Sequence, residues 1–269
     1  MDIGPLVSGV DAELRAAGSK DRAGREKAYL KSALEHYGTP MPAVRSIAQA
    51  VRRRHPELDH DDLIALVDAL WSVPVHKRRM LAVALLEVNV ESVRAEDVPA
   101  LERLLRESRT WALVDGLATS VVGPLVERQP DLCPVLDRWA GDDDFWLRRS
   151  ALLALLPGLR RGSGDFRRFS RYADSMLAER EFFIRKAIGW VLRETAKKRP
   201  VLVYEWLLPR APAASGVTLR EAVRPLSDPS LTTPLRNCRW DGARAGRVST
   251  TGRTSAQLRR SWPCPSSRC

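Results

Sequence analysis

The sequence predicts an all-α fold: an α-solenoid of HEAT-like helical repeats with a concave basic groove, followed by a disordered C-terminal tail. Residues 1–226 have the apolar spacing of amphipathic helices almost throughout, and no convincing pair of strands is found among them. A helical pattern recurs in this part of the chain at intervals of 35 to 37 residues, which is typical of stacked helix pairs. The chain has 269 residues, 44% of them hydrophobic, and is long enough to bury a substantial core.

Apolar spacing and boundary residues place the individual helices. The first has Pro5 in its first turn and an apolar face formed by Ile3, Leu6, Val7, Val10 and Leu14. The acidic residues Asp59, Asp61 and Asp62 open another clear helix, and Pro74 closes it, as such residues commonly do. Further helices are predicted near 20–37, 42–54, 76–90, 97–107, 110–127, 131–140, 144–157, 166–180, 182–198, 200–208 and 217–225.

The internal repeat carries paired basic residues. Three segments share a large residue, two adjacent basic residues and an apolar helix: HKRRMLAVALLEV (76–88), WLRRSALLALLPG (146–158) and FIRKAIGWVLRET (183–195). A fourth, at 111–123, is in phase but lacks the basic pair. Equivalent positions of stacked repeats share one face. We therefore expect a basic groove, although adjacent basic residues at a helix start can also be merely solvated. The groove residues would be Lys77, Arg78, Arg79, Arg148, Arg149, Arg185 and Lys186.

The net charge of +11 divides between two parts of the chain. Residues 227–269 contain eight Arg, two Asp and many Ser and Thr without helical periodicity, which predicts a disordered tail with a net charge of +6. Residues 1–226 form the predicted folded domain and carry the remaining +5. A basic chain favours a polyanionic partner, with nucleic acid ahead of an anionic membrane surface.

Several classes of protein are excluded. No apolar run is long enough to span a membrane, and the N-terminus lacks the basic start of a secretory signal. The four Cys form no CxxC pair and the four His have no metal-ligand spacing. We therefore expect a cytoplasmic protein with no metal, no cofactor and no membrane contact.

Seven segments of residues 1–226 resemble the AlkD-like DNA alkylation repair family of HEAT-like-repeat DNA glycosylases. The longest and most specific is EFFIRKAIGWVLRETAKKRP at 181–200. The others are KAYLKS (27–32), YGTPMPAVR (37–45), LWSVP (70–74), SRTWALVD (108–115), FWLRRSA (145–151) and LREAV (219–223). The resemblance implies hydrolysis of the N-glycosidic bond of N3- and N7-alkylated purines in duplex DNA, with the lesion processed while it remains stacked.

The resemblance also implies the site residues. Trp111 and Asp115 match the W-x-x-x-D pattern of the family's catalytic centre, and Trp190 matches a second aromatic wall. Arg149 matches a basic residue that contacts DNA near the lesion, and Tyr29 matches a tyrosine that holds the DNA backbone. The family often has an acidic residue at position 112 and a second aromatic residue at 110, where this chain has Ala and Thr.

The chemistry of these residues is reasonable in itself. Trp111 and Asp115 are four residues apart, so they share one face of a helix. A purine alkylated at N3 or N7 is cationic and leaves as a neutral base, so the enzyme has to stabilise the oxocarbenium-like sugar. A carboxylate and two indole faces can do this, with the carboxylate also positioning water. No lysine nucleophile is indicated, which predicts a monofunctional glycosylase without a lyase step.

Two other functions fit the same sequence. A HEAT-like repeat protein can bind DNA without chemistry, or its groove can serve as a scaffold for an acidic peptide. The combination of Trp111, Asp115 and Trp190 favours an enzyme, since a binding module needs only the basic residues. We expect a monomer without an obligate protein partner. The remaining tryptophans of the domain are expected in the core: Trp71, Trp139, Trp146 and Trp206.

Overall fold

The computed structural model describes residues 2–226 of the chain as a succession of helices. The first five are α1 (Ile3–Ala16), α2 (Lys20–Leu30), α3 (Met41–Arg54), α4 (His60–Trp71) and α5 (His76–Val88). The next five are α6 (Val98–Ser108), α7 (Trp111–Gly116), α8 (Gly123–Arg128), α9 (Cys133–Ala140) and α10 (Phe145–Ala154). The last five are α11 (Leu156–Arg161), α12 (Phe166–Met176), α13 (Phe182–Ala196), α14 (Pro200–Leu207) and α15 (Gly216–Ala222). A π-helical stretch, Leu117–Val122, joins α7 to α8.

Acidic side chains fix the beginning of several helices. Asp59 accepts a hydrogen bond from the backbone amide of Asp62 at the start of α4, and Asp165 does the same for Arg168 in α12. Asp144 accepts from Trp146 in α10, and Glu181 from Phe183 in α13. A carboxylate in this position satisfies an amide that has no partner inside the helix and complements the helix dipole.

The helices form two rows. In the inner row, α3, α5, α7 with the π-helical stretch, α10, α13 and α15 each pack against the next. The outer helices pack against this row, with α4 on α5, α6 on α7, α9 on α10 and α14 on α13. The apolar core lies between the two rows and runs continuously through residues 10–226. This confirms the helical-repeat fold that the sequence predicts.

Hydrogen bonds between successive outer helices repeat the sequence period. The indole of Trp71 donates to Glu107 at 2.8 Å, 36 residues away, and the indole of Trp139 donates to Glu102 at 2.9 Å, 37 residues away. Arg106 reaches Asp142 at 2.7 Å, again 36 residues away. Since each contact joins equivalent positions of neighbouring repeats, these hydrogen bonds connect successive repeats along the outer row.

The predicted repeat starts at positions 76, 111, 146 and 183 agree with the structure. The inner helices begin at His76, Trp111, Phe145 and Phe182, within one residue of the prediction. The expected core tryptophans are also confirmed, because all four are less than 9% exposed: Trp71, Trp139, Trp146 and Trp206.

Three predicted helices differ from the structure. The helix predicted over 144–157 is divided into α10 and α11. The helix predicted over 20–37 ends at Leu30, because Lys31 takes a left-handed conformation with φ of 48°. The following segment runs irregularly to Pro40 and forms a bridge between Glu35 and Val75, the one β contact within residues 2–226. The helix predicted over 110–127 is interrupted by the π-helical stretch.

Within residues 2–226, no helix is both long and apolar enough to cross a membrane. The predicted disordered tail, 227–269, lies outside the described residues, and the division of the chain at residue 226 stays a prediction.

Candidate active site

A half-open cavity of about 390 Å³ lies between α2, α3, α5 and α7. One wall is apolar and includes Met41, Met80 and Val83. Four residues singled out in the sequence line the same cavity: Tyr29, Lys77, Trp111 and Asp115. The structure therefore brings together residues that are up to 86 positions apart in the chain.

Two aromatic side chains stand at this cavity. Tyr29 lies in the last turn of α2 and is 74% exposed, which is unusual for a large aromatic residue. Trp111, the first residue of α7, is partly buried and meets Tyr29 edge to face, with 6.1 Å between the ring centroids. Edge-to-face packing suits the charge distribution of aromatic rings and holds both side chains in place.

Asp115 is held by Arg149, 34 residues away on α10. The guanidinium donates two hydrogen bonds to the carboxylate, from Nε to Oδ1 at 2.8 Å and from Nη2 to Oδ2 at 2.9 Å. Arg149 also donates to the backbone carbonyl of Phe183 on α13. The acids at 142–144 are nearer to Arg149 in the chain, but its acidic partner is Asp115.

Burial and the ion pair act in opposite directions on Asp115. Burial raises the pKa of the carboxyl group, and the hydrogen bonds and charge of Arg149 lower it, with a net rise above the ordinary value. The Asp115 side chain is 16% exposed, whereas the Arg149 side chain is 3% exposed. The bidentate pair uses one lone pair on each carboxylate oxygen, so the other lone pairs remain available to a ligand or water in the cavity.

The π-helical stretch, Leu117–Val122, begins two residues after Asp115. The hydroxyl of Thr119 donates to the backbone carbonyl of Asp115 at 2.7 Å. Between them, Gly116 packs so closely on α5 that an added Cβ would lie 2.9 Å from Val83 Cγ1. Short π-helical segments inside α-helices are frequent at functional sites. Here one such segment follows the helix that carries Trp111 and Asp115.

Trp190 lies apart from these residues. It is on α13, partly buried against the core, and does not line the cavity that contains Trp111 and Asp115. Arg149 connects the cavity with the helix that carries Trp190, since it binds Asp115 and a backbone carbonyl in the first turn of α13. The structure thus assembles Tyr29, Trp111, Asp115 and Arg149, with Trp190 on the adjacent helix.

The paired basic residues have acceptors within the protein. Arg148 binds Glu179 twice at 3.0 Å, and Arg185 donates to the backbone carbonyl of the same residue at 2.7 Å. Lys186 pairs with Glu221 at 2.5 Å, although its side chain stays 40% exposed. These groups connect successive repeats as well as contributing positive charge.

The first basic cluster is engaged in the same way. Lys77 is 1% exposed and its ammonium pairs with Glu26, so it does not lie on an open face. Arg78 donates to the backbone carbonyl of Ala69 at 3.1 Å and lies 3.4 Å from Asp11. Repeat phasing identified the helix starts correctly, but it could not show which acids of neighbouring helices neutralise these side chains.

Sequence reasoning missed a cation at the cavity. Arg45, on α3, lines the cavity and is exposed, and nothing within residues 2–226 forms a hydrogen bond or ion pair with it. It lies within the YGTPMPAVR segment that carries part of the family resemblance, but it belongs to no repeated basic pair. Only the packing of α3 against α5 places Arg45 at the cavity.

Folding also assembles a possible metal-ligand set. One ligand atom each from Glu26, His36 and His76 lies within 4.8 Å of the others. Their positions in the chain, 26, 36 and 76, have none of the regular spacing by which metal sites are recognised in sequences, which is why the sequence predicted no such site.

Comparison with known families places the chain. The profile of the DNA alkylation repair enzyme family matches residues 10–226. The chain belongs to this family of DNA alkylation repair enzymes. The match ends at the residue where the sequence changes character, and it covers every site residue discussed above. Membership supports a role in DNA repair and a DNA partner.

Solved structures show the same fold at low sequence identity. A predicted DNA alkylation repair enzyme from Enterococcus faecalis is 23% identical, with a TM-score of 0.71 over 78% of this chain and 97% of that chain. The protein smu.31 from Streptococcus mutans UA159 is 17% identical, with a TM-score of 0.54 over 76% of this chain and 98% of that one. AlkD2 from Streptococcus mutans is 15% identical, with a TM-score of 0.51 over 83% and 98%. No curated protein matches the chain.

Proposed function

We propose that this family member is a monofunctional DNA glycosylase that hydrolyses the N-glycosidic bond of cationic N3- and N7-alkylated purines in duplex DNA. The observation that supports it best is the Asp115 carboxylate, which is held by Arg149 and opens into a cavity beside Trp111. Such a carboxylate is fixed in direction before the substrate arrives, which is what electrostatic stabilisation of a transition state requires.

The bond breaks with its electron pair leaving on the purine nitrogen. The base therefore departs neutral, and positive charge develops on the sugar. Asp115 stabilises that charge and accepts a hydrogen bond from the attacking water. The water oxygen forms the new bond to the anomeric carbon as its O–H bond breaks, and the proton passes to Asp115 and from there to solvent. Because the leaving base needs no general acid, one carboxylate is sufficient. Neutral damaged bases, which do need one, would be poor substrates.

The aromatic residues bind the nucleotide. The exposed ring of Tyr29 and the indole of Trp111 offer aromatic faces to the cationic sugar at the cavity mouth, and the Tyr29 hydroxyl can donate a hydrogen bond to a backbone phosphate. Trp190 would contact the DNA from α13, on the other side of Arg149. In this proposal the enzyme contacts the sugar and the lesion stays stacked, so the cavity does not have to enclose the purine.

Positive charge for the DNA backbone would come from the inner helices. Arg45 is exposed at the cavity, and the Lys186 side chain stays 40% exposed although it pairs with Glu221. Arg148 and Arg185 lie in the first turns of α10 and α13. Lys77, Arg78 and Arg149 contribute mainly through their field, because their charged groups bind protein acceptors. We propose that the enzyme acts as a monomer.

Release of N7-methylguanine from a duplex tests the proposal. We expect the unaltered protein to release the base, and Asp115→Asn to lose about 100-fold or more in rate because it removes the stabilising charge. Asp131→Asn is a matched control, since Asp131 is exposed and distant from the cavity lining. Equal release by Asp115→Asn would overturn the catalytic assignment. Tight duplex binding without release by any form would indicate a non-catalytic DNA-binding protein instead.

A further inference from the structure

A cluster of ligand-type side chains lies behind the cavity, at the junction of three chain segments. Glu26 is on α2, His36 is in the connection between α2 and α3, and His76 is the first residue of α5. Glu26 Oε2 lies 2.9 Å from His36 Nδ1 and 3.8 Å from His76 Nδ1. The two imidazole rings are stacked, with centroids 4.6 Å apart and planes 16° from parallel.

The two histidines are short of hydrogen-bond partners. His76 is 2% exposed and neither ring nitrogen has a partner within residues 2–226. The Nε2 atom of His36 is buried and without a partner as well. Buried polar atoms are nearly always satisfied, and leaving one without a partner typically costs about 1–3 kcal/mol. Three such atoms in two adjacent rings therefore indicate that these histidines bind a ligand.

We propose that Glu26, His36 and His76 form a binding site for one divalent transition metal ion of the zinc class. Two imidazoles and a carboxylate are the donor set that such ions commonly take in proteins. Metal–ligand bonds of about 2.0–2.1 Å in a tetrahedral arrangement separate the ligand atoms by roughly 3.3 Å. The two separations from Glu26 Oε2 fall on either side of that value. Because a metal ion lies in the plane of each imidazole that binds it, the two stacked rings have to rotate out of their near-parallel arrangement to share one ion.

The ring nitrogens of the two histidines can serve as metal ligands. A neutral imidazole keeps a lone pair on one ring nitrogen, which is the form that coordinates metals. In His76 neither nitrogen is engaged in a hydrogen bond within residues 2–226, so either can supply that lone pair. His36 donates or accepts one bond through Nδ1 and can carry its proton on Nε2 instead, which frees Nδ1 for the ion.

The cavity provides access. Glu26 and His76 line the cavity as well as the cluster, so an ion can reach the site through it. Three protein ligands leave one tetrahedral position for water or for a ligand oxygen from the cavity. The proposal does not depend on the glycosylase activity proposed above, because the cluster does not include Trp111 or Asp115.

The positive charge of Lys77 weakens the binding of a metal ion at this site. Its ammonium binds Glu26 Oε1, which leaves Oε2 for coordination but places a positive charge beside the metal. We therefore expect Lys77→Met, which keeps the length of the side chain and removes its charge, to tighten metal binding by about 10-fold or more. A purely structural histidine pair would bind no metal in either form.

Metal binding can be measured on the full chain after treatment with a chelator. Cysteine thiolates also bind zinc, so the parent protein for the test carries substitutions at Cys133, Cys238, Cys264 and Cys269. Zinc is titrated against a chromophoric indicator, and cobalt(II) reports its own coordination by visible absorption. We expect one equivalent of each ion, a cobalt spectrum typical of four-coordination and a rise in Tm on saturation with zinc.

Phenylalanine substitutions separate ligation from packing. His76→Phe and His36→Phe keep a stacked ring, and circular dichroism and the metal-free Tm show whether they fold. We expect each to weaken zinc binding by about 100-fold or more, since even loss of an outer-shell partner costs about 10–100-fold. His55→Phe, outside the cluster, is the matched control and should bind zinc as the parent does. The proposal is overturned if the parent binds no zinc, or if folded His76→Phe binds it equally well.

Discussion

Arg149 on α10 and Asp115 on α7 form a bidentate ion pair, with N–O distances of 2.8 and 2.9 Å, across one repeat of the solenoid. The separation of 34 residues is close to the period at which the outer helices exchange hydrogen bonds. The pair therefore belongs to the contacts that join successive repeats, yet its carboxylate opens into the cavity. The same interaction stabilises the fold and orients the proposed catalytic group.

Removing one partner of this pair should destabilise the protein more than removing both. Arg149→Met leaves the largely buried Asp115 carboxylate without its cation, which we expect to cost about 3 kcal/mol of unfolding free energy. The double variant Arg149→Met with Asp115→Leu removes the stranded charge and should recover much of that loss. Urea unfolding of both forms checks this. The bond from Arg149 to the carbonyl of Phe183 is lost in both, so it cancels in the comparison.

Arg148→Met is the control for the neighbouring position. Arg148 pairs with Glu179, and both side chains are more exposed than that of Arg149. Solvent screens this pair more than the pair of Arg149 and Asp115, but Arg148 also donates to the backbone carbonyls of Asp142 and Asp143. We therefore expect Arg148→Met to cost less than Arg149→Met, because the carboxylate it leaves behind is better solvated. A double variant at 149 and 115 that is no more stable than Arg149→Met would contradict the account of a stranded carboxylate.

Base release should fall in mild acid. Burial raises the pKa of Asp115, so this carboxyl group takes up a proton at a higher pH than an ordinary aspartate. The ionised form is the one that stabilises the sugar, and the rate should therefore be full above that pKa and decline as the pH falls through it. Single-turnover rates measured from about pH 8 down to about pH 4 test this, after subtraction of spontaneous depurination.

Two variants test whether the ionisation of Asp115 causes this decline in rate at low pH. The residual rate of Asp115→Asn should show no decline of this kind, since the amide does not titrate. Arg149→Met removes the influence that lowers the pKa of Asp115, so the decline should move to higher pH. An unaltered protein with a constant rate down to about pH 4 would show that Asp115 does not act as a carboxylate base or charge.

The sequence predicted the repeat architecture because the signals for it are local. Apolar spacing, acidic caps and the recurrence of basic pairs depend on residues within one helix, and the inner helices begin within one residue of the expected positions. The family resemblance located Trp111 and Asp115 for the same reason, since both lie in one short segment. Helix 20–37 was too long because nothing in the sequence shows that Lys31 adopts a left-handed conformation.

The partners of the charged residues could not be predicted. Arg149 finds Asp115 rather than the nearer acids at 142–144, and Lys77 is buried against Glu26, because helix packing decides which repeat faces which. Glu26, His36 and His76 meet for the same reason, through three segments that are not adjacent in the chain. Contacts of this kind depend on tertiary structure, which periodicity does not encode.

Gly116 should be needed for the close packing of α7 on α5. In Gly116→Ala the new Cβ would lie 2.9 Å from Val83 Cγ1, which forces either the Val83 side chain or one of the two helices to shift. We expect a loss of about 1–3 kcal/mol in unfolding free energy, together with a lower rate of base release as Asp115 moves. Combining it with Val83→Ala should restore part of both. If Gly116→Ala keeps the stability and rate of the parent, the close approach is not required.

Arg45 should contribute to DNA affinity through a phosphate. It is exposed at the cavity and has no acidic partner within residues 2–226. Arg45→Gln should weaken duplex binding similarly for all sequences and reduce the slope of log K against log salt by about one. Arg53→Gln is the control, since Arg53 is exposed on the same helix but does not line the cavity. Equal slopes for the two variants would show that Arg45 contacts no phosphate.

His60 should make stability depend on pH between about pH 6 and pH 8. Hydrogen bonds to Asp61 and then Asp97 raise its pKa in the folded protein, against the smaller opposing effect of burial. The protonated ring binds both carboxylates, with Nε2 3.0 Å from Asp97. This stabilisation is fully present below the pKa of the unfolded chain and is lost as the pH rises through the folded pKa. His60→Gln should therefore flatten the fall in unfolding free energy over that range, as measured by urea titrations, whereas His55→Gln should leave it unchanged. A parent protein equally stable at both ends of the range would exclude His60 as the titrating group.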